Sequence, residues 1–410
     1  MKAITRKRLA RRKQRIACRL REIHWAEQRR PMLTARNVRY EVADRTRGLA
    51  AGGIGAMHLL ALRTGLVAAI DRQMHVLKRH LPYHESDHVL NTAYNLLSGG
   101  TCLEDIERLR TDEAYLDALG ARRVPDPTTA GDFCRRFAPA DIERLMDAIN
   151  AVRLGVWKLQ PPAFFAEAVV DADGTLATTC GECKEGMDIS FKGQWGYHPL
   201  VVSLANTAEP LYLVNRSGNR PSHEGAAAYL DRAIALCRRA YRAVVLRKNL
   251  SVEKGERRLF DDVRYFFYLT NDRTTAAAEI VPAANGRCNQ ENLIEQLKNG
   301  ARAMEMPVGD LVSNWAYMVM ASLAPALKAW LALVLPEGGR WRRKHAAEKQ
   351  SVLRMKFKKF LNRLVRVPCQ IVRTGRRKSV PALVVEPVAG GVAAGRRRAA
   401  PSAAVLTAAP

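Results

Sequence analysis

Acidic residues are scarce in this chain of 410 residues. Its 40 Asp and Glu residues face 66 Lys and Arg residues, which leaves a formal net charge of +26. Because a cationic surplus of this size attracts polyanions from a distance, nucleic acid is the leading predicted partner and an anionic membrane is the second. The chain is long enough for two or three domains and a large core.

Cysteines are also few, and the eight of them are spread thinly along the chain. Since no secretory signal precedes them, a disulfide framework is not expected and a reducing cytoplasm is the predicted location. Cys180 and Cys183 form a single C-x-x-C pair without a second pair at zinc spacing, which is a weak metal signal. The Arg-rich residues 2–30 lack the apolar region of a signal peptide and fit a transit peptide or, more simply, a basic arm that contacts phosphates.

Only one hydrophobic run, residues 311–335, approaches the length of a membrane-spanning helix. Asn314, Pro325 and Lys328 interrupt it, and a lysine near the centre of a bilayer is energetically costly. The run therefore predicts a buried helix, or two helices that break at Pro325. No membrane partner is expected.

Helical periodicity dominates residues 51–160, where apolar residues recur at spacings of three and four. These residues are predicted to form a helical DNA-binding region, since such modules commonly grip duplex DNA. Within it, HESDH at residues 84–88 fits the H-E-x-x-H pattern of zinc peptidases. Pro82 stands just before this motif, and Ser86 and Asp87 suit the start of a helix rather than its middle, so a zinc site is not favoured.

After Pro161 and Pro162 the apolar period changes to two, which predicts strands. Three strands (FFAEAVVDADGT, YHPLVVSLANT and LYLVNR) precede a helix at residues 224–240, and YRAVVLR, a polar connection SVEKGERRLFDD and a last strand VRYFFYLT follow it. Asp171 and Asp173 project from one side of the first strand. The order resembles an RNase H-like α/β core, in which acidic residues from the first strand, the fourth strand and the last helix converge on metal.

A helix is predicted at residues 285–300, NGRCNQENLIEQLKNG. At about 100° per residue, Arg287, Glu291 and Lys298 fall within roughly 40° of one another. Leu293 and Leu297 lie on another face, which can pack against a sheet. The ordinary interpretation of the charged face is a surface helix with an i, i+4 ion pair.

The predicted architecture is therefore a mixed α+β fold. A basic arm (residues 1–50) and the helical region (51–160) precede the RNase H-like core (161–310) and C-terminal helices (311–365). Residues 366–410 are basic and rich in Ala and Gly, cannot support a core, and are expected to form a disordered tail.

The chain resembles the group 1 DDE transposases of bacterial insertion sequences over about residues 59–335. The motifs that carry the resemblance include GGTCLEDIERLR, DADGT, LYLVNRSGNRPSHEGAAAYLDRAIALCRR and NGRCNQENLIEQLKNG. The resemblance implies a nucleoid-associated homo-oligomer that binds the terminal inverted repeats of a mobile element, hydrolyses strands to free 3′ hydroxyls and joins them to target DNA. It also implies two Mg²⁺ or Mn²⁺ ions, held by acidic residues, that neutralise charge during attack on the phosphodiester.

The resemblance places the family's first aspartate at Asp173, with Asp171 as the alternative, and the family's glutamate at Glu291. Arg287 and Lys298 match the basic positions around that glutamate and are implied to bind DNA phosphates. The position of the tyrosine in the same signature holds Ala284.

The family's second aspartate has no clear counterpart. Asn249 occupies roughly the missing position, and its amide oxygen can ligate a metal without contributing charge. Asp261, Asp262 and Asp272 lie nearby but suit turns or caps. An in-frame deletion that fused two similar strands would produce this pattern, so the sequence predicts a transposase with impaired catalysis. The alternative is a non-catalytic DNA-binding remnant that interferes with an intact transposase.

Overall fold

The computed structural model describes residues 10, 14 and 47–379, with gaps at 81, 167, 180, 182, 191–192, 222, 238–241, 254–255, 271, 273, 286–288, 338–341 and 375–376. Side chains are not described at 47, 242–253, 256–269, 283–285, 289, 372–374 and 377–379. Most of the predicted basic arm, residues 380–410 of the predicted tail, and Arg287 therefore lie outside the described residues.

Helices fill the first part of the fold, as the periodicity of residues 51–160 predicts. After a short strand, β1 (Arg47–Leu49), come α1 (Ile54–Arg63), α2 (Leu66–Gln73), α3 (Glu85–Leu97), α4 (Ile106–Arg110), α5 (Glu113–Leu119), α6 (Pro127–Cys134) and α7 (Pro139–Lys158). Asp112 and Asp126 start α5 and α6, because each carboxylate accepts hydrogen bonds from backbone N–H groups of the first turn.

A three-stranded antiparallel sheet follows the helices. Its order is β2 (Val170–Gly174), β5 (Leu200–Leu204) and β6 (Glu209–Val214), and a short hairpin of β3 (Asp188–Ile189) and β4 (Trp195–Gly196) lies between β2 and β5 in the chain. The helix α8 (Ala226–Cys237) packs against all three strands, whereas α7 packs against β6. The predicted alternation of strands and a helix, and with it the mixed α+β class, is confirmed.

The predicted polar connection SVEKGERRLFDD is wrong. Residues on both sides of the connection extend into β7 (Arg242–Glu253) and β8 (Glu256–Thr270), which pair antiparallel from Arg242–Thr270 to Glu253–Glu256. An antiparallel ribbon can face water, so polar residues are no obstacle to strand pairing. Among the described residues β7 pairs with β8 and not with the sheet that contains β2.

The hydrophobic run forms one continuous helix, α11 (Leu311–Leu333), which Pro325 does not break. Among the described residues, α11 is long and apolar enough to cross a membrane, and α1 with α2 would qualify only as a pair bent by 62°. The apolar part of α11 is fully buried inside the fold. Even Lys328 is buried, and its ammonium group donates to the Leu353 carbonyl at 2.9 Å. The helix is therefore the centre of a protein core.

A fully buried carboxylate joins α7, the sheet and α11. Glu209 accepts hydrogen bonds from Arg153 Nε at 2.9 Å, from Trp157 Nε1 at 3.2 Å and from Trp330 Nε1 at 2.8 Å. Arg153 also donates to the Pro210 carbonyl. This arrangement, called the Glu209 centre below, satisfies the buried charge with a buried countercharge and neutral donors.

The C-terminal part contains α12 (Arg342–Arg354), α13 (Phe357–Phe360), a π-turn (Leu361–Val365) and two strands, β9 (Cys369–Thr374) and β10 (Arg377–Ser379). β9 pairs with β1, with Leu49 opposite Cys369. A strand thus lies inside the segment predicted as a tail, and its partner lies inside the predicted arm. Short strands with basic flanks carry too little periodicity to be found in sequence, and the other domain limits stay predictions.

Candidate active site

Asp173 lies near the end of β2, opposite Val201 of β5. One carboxylate oxygen accepts a hydrogen bond from the Gly174 amide at 2.8 Å. Burial raises the pKa of Asp173, the Gly174 amide opposes that rise, and the negative charge of Glu291 raises the pKa further. The fold therefore holds one carboxylate beside another, an arrangement that favours a bound cation.

Glu291 lies in the first turn of α10 (Asn289–Glu295). The preceding residue, Gln290, anchors this helix, since its amide group donates to the Val201 carbonyl at 2.9 Å. Val201 is also the residue paired with Asp173, so Gln290 fixes the start of α10 directly beside Asp173. Leu293 of the same helix is buried, as predicted, whereas Glu291 stays exposed.

The prediction of a regular α-helix over residues 285–300 is wrong at its end. α9 (Ala277–Asn285) and α10 lie on either side of residues 286–288, which are outside the described residues, and α10 continues into a π-turn (Gln296–Gly300). The Gln296 carbonyl accepts from the Ala301 amide, five residues on, at 2.7 Å. The Gln296 side chain also accepts from the Phe357 amide at 2.7 Å, a contact with α13 that sequence periodicity cannot reveal.

Lys298 lies in this π-turn and still reaches the predicted site. Its ammonium group donates to the carbonyl of Leu176, three residues beyond Asp173. Burial lowers the pKa of Lys298. The π-turn changes the angular relation between Lys298 and Glu291 that a regular helix would give, yet both residues lie beside the end of β2.

The other predicted acids differ in position. Asp171 lines a cavity of about 600 Å³ together with Asn292 and Gln296. Asn249 lies in β7 opposite Val263, with its side chain outside the described residues. Asp261 and Asp262 do not precede a strand as predicted but lie within β8. Asp272 fits its predicted role as a turn residue, because its carboxylate accepts from the amides of Thr274 and Thr275.

The described side chains provide two carboxylates at this site. Among them, no third His, Cys, Asp or Glu completes a three-ligand group with Asp173 and Glu291. Mg²⁺ is commonly held by one or two carboxylates together with water and substrate phosphate, so the residues fit one such ion. A second ion would need ligands from outside this set.

The HESDH motif does not form a peptidase-like zinc site. His84 lies at the N-cap of α3, whereas His88 is buried and stacks on Phe133 at a ring distance of 4.3 Å. His80, His84 and Glu85 each offer a ligand atom within 4.8 Å of the others. However, the His80 and His84 rings stack nearly parallel, so their lone pairs cannot meet at one ion unless a ring rotates.

His198 and Arg216 border the site and were missed in the sequence. A Cβ atom added at Gly174 would lie 2.5 Å from His198 Cε1 and 2.8 Å from Arg216 Nη2, so both side chains contact the backbone next to Asp173. The His198 amide donates to the Arg216 carbonyl at 2.8 Å. The signal available in the sequence was only that His198 stands near the start of the predicted strand YHPLVVSLANT and that Arg216 ends the predicted strand LYLVNR.

The comparisons with known proteins indicate the family of the chain. A family model described as transposase DDE domain group 1 matches residues 38–249, slightly more than half of the chain. The match includes Asp173, His198 and Arg216 and ends before Glu291. No curated protein matches the chain significantly. Such domains carry out transposition of DNA and generally use divalent metal ions. The chain therefore belongs to the family of transposases with a group 1 DDE domain.

Proposed function

We propose that the chain binds the terminal inverted repeats of an insertion sequence as a transposase does, but that its DNA cleavage is impaired by an incomplete metal site. The observation that carries this proposal is the approach of Glu291 to Asp173, close enough to raise the pKa of that aspartate. The negative charge of Glu291, which lies far from Asp173 in sequence, acts on Asp173, as a shared metal site would require. The described residues supply no third carboxylate at that place.

The residues of the site would act on the DNA backbone. Asp173 and Glu291 would hold a divalent ion, which when bound neutralises phosphate charge and lowers the pKa of water. Lys298 would attract the phosphate, although its hydrogen bond to Leu176 limits its reach. Arg287 would add a bidentate phosphate contact.

The net charge of the chain and the two ends of an element indicate where the protein acts and in how many copies. With a formal net charge of +26, the chain would associate with the nucleoid in the cytoplasm, and two copies would be needed to hold the two ends of an element. The buried position of α11 supports a protein that does not enter a membrane.

DNA binding is tested by gel retardation with duplexes that carry the repeats flanking the gene, across a KCl series. We expect a steep loss of affinity with salt, because bound phosphates release their counterions. A scrambled duplex of equal length is the control for sequence preference. Affinity that does not change with salt would contradict binding driven by phosphates.

Metal binding and cleavage are tested separately. Calorimetric titration with Mn²⁺ should show one ion that is lost in Asp173→Asn. A plasmid carrying the repeats should show little nicking with Mg²⁺. Robust nicking that is abolished in Asp173→Asn would show that the chain is an active transposase and would contradict the proposed impairment.

The second candidate function is a non-catalytic remnant that interferes with an intact transposase. The missing third carboxylate among the described side chains favours it. Co-expression with an intact relative should then lower transposition of that relative's element. A variant without DNA binding should lose the effect, unless interference arises from subunit pairing.

A further inference from the structure

Arg216 is held in one orientation by backbone carbonyl groups. Its Nε donates to the His198 carbonyl at 2.9 Å, and its Nη1 donates to the carbonyls of Pro221, at 3.2 Å, and Glu224. A guanidinium is planar, so these bonds also fix the direction of Nη2. The arginine thus has little freedom to swing toward a ligand and is suited to orient a neighbour.

That neighbour is the imidazole ring of His198. Arg216 Nη2 lies 3.2 Å from His198 Nδ1. A guanidinium has only donors, so Nδ1 must accept, and the neutral ring then carries its proton on Nε2. Burial, Arg216 and Lys298 all lower the pKa of His198, which agrees with a neutral ring.

The Nε2–H group has no protein partner among the described residues, although His198 is only 8% exposed. Nε2 does not belong to the fully buried atoms without a partner, so this donor is accessible to water or to a ligand. The surroundings favour an anionic acceptor, because both Arg216 and Lys298 are close enough to affect the ring electrostatically. Burial lowers the pKa of Arg216, and the charge of Asp173 is close enough to oppose that shift.

Phosphate oxygen is the acceptor that fits these surroundings. It accepts hydrogen bonds and carries the negative charge that the cations attract. We propose that His198 donates its Nε2–H to a non-bridging oxygen of the DNA phosphate bound at this site. Arg216 is the positioning residue that keeps the ring in the required tautomer.

This inference rests on the proposed function, because the same site must receive DNA. Two variants separate the ring nitrogens. His198→Gln places an amide N–H near the position of Nε2, whereas His198→Asn keeps a polar atom near Nδ1 and removes the donor at Nε2. Binding of a short fluorescein-labelled duplex, with Ca²⁺ present, is measured by anisotropy across a KCl series.

We expect His198→Asn to weaken binding about tenfold, since one hydrogen bond to a charged group is lost. His198→Gln should restore most of the affinity. The salt dependence should not change in either variant, because no charge is removed, whereas Lys298→Ala should lower the slope by about one. Equal affinity of His198→Asn and the wild type would overturn the proposal.

A spectroscopic measurement covers the case in which a variant fails to fold. In the wild-type chain labelled with ¹⁵N-histidine, the His198 signals should show the Nε2–H tautomer, and Nε2 should shift when the duplex is added. Arg216→Lys should produce a mixture of tautomers. A ring protonated on Nδ1, or an Nε2 signal that DNA leaves unchanged, would contradict the inference.

The outcomes distinguish the two proposals. If the wild type binds DNA with steep salt dependence but the His198 tests fail, only the role of His198 is lost. If the wild type does not bind DNA at all, the proposed function fails and this inference fails with it.

Discussion

Glu209 and Asp173 are carboxylates of the same sheet, yet their neighbours are opposite in kind. Glu209 is fully buried and meets a countercharge on Arg153 and two indole N–H donors. Asp173 is half-buried and meets a second carboxylate, Glu291. The first arrangement stabilises the fold without a ligand, and the second becomes favourable when a cation arrives.

The difference teaches how to separate a structural acid from a functional one. Burial alone does not do so, because Glu209 is the more buried of the two. The sign of the charge with the largest effect does, since Glu291 outweighs Arg216 at Asp173, together with the number of donors that satisfy the oxygens. Three predictions test this distinction.

The largest expected effect is on the Glu209 centre. Glu209→Ala should lower the free energy of unfolding by about 3–5 kcal/mol, because Arg153 would remain buried without its countercharge. Urea denaturation measures the change. Glu107→Ala is the matched control, since its ion pair with Arg110 is exposed and should contribute less than about 1 kcal/mol. Equal losses of unfolding free energy in the two variants would show that the Glu209 centre contributes no more to stability than an exposed ion pair.

His88 tests the burial of a titratable ring. Burial, aided by Arg136 and opposed by Glu85, lowers the pKa of His88 to about 4, from 6.5. Below pH 6.5 the unfolded chain binds the proton first, so stability should fall by about 3 kcal/mol as the pH decreases to 4.

His88→Phe keeps the stacking on Phe133 and should remove this part of the acid sensitivity. Thermal unfolding of the variant and of the wild type between pH 7 and pH 4 measures this difference in acid sensitivity. His75→Phe, at an exposed position, is the matched control for replacing an imidazole by a phenyl ring. If His88→Phe follows the wild-type curve, the ring is not held neutral.

The smallest effect is expected at the candidate active site. The raised pKa of Asp173 means that the folded state binds a proton before the unfolded state does, so stability should rise as the pH falls through the raised pKa. Asp173→Asn should therefore stabilise the chain at neutral pH. It should also abolish Mn²⁺ binding.

Differential scanning fluorimetry with and without Mn²⁺ measures both effects of Asp173→Asn. Asp132→Asn, at an exposed pair with Arg135, is the control and should change neither stability nor metal binding. A loss of stability in Asp173→Asn would show that Asp173 is a structural acid like Glu209.

The sequence was sufficient for elements whose pattern is local. The period of two located β2, β5 and β6, and the apolar spacing of Leu293 and Leu297 located α10. The resemblance to a transposase added Asp173 and Glu291, which the spacing of charges alone could not distinguish from an ordinary surface helix.

What the sequence could not supply depends on contacts between distant segments. The contact of His198 with Arg216 exists because β5 and β6 pair, and the π-turn depends on a bond from Gln296 to Phe357. The ribbon of β7 and β8 was missed because polar residues mark a connection as readily as an exposed strand.

The pairing of β1 with β9 has a consequence for synthesis of the chain. Leu49 and Cys369 are 320 residues apart in sequence, and the ribosome adds about 5–20 residues per second. For about 15–60 s, β1 is outside the ribosome before its partner strand exists. Because this contact closes the longest loop among the described strand pairs, we expect it to form last, so that a chain truncated before Cys369 leaves Leu49 uncovered.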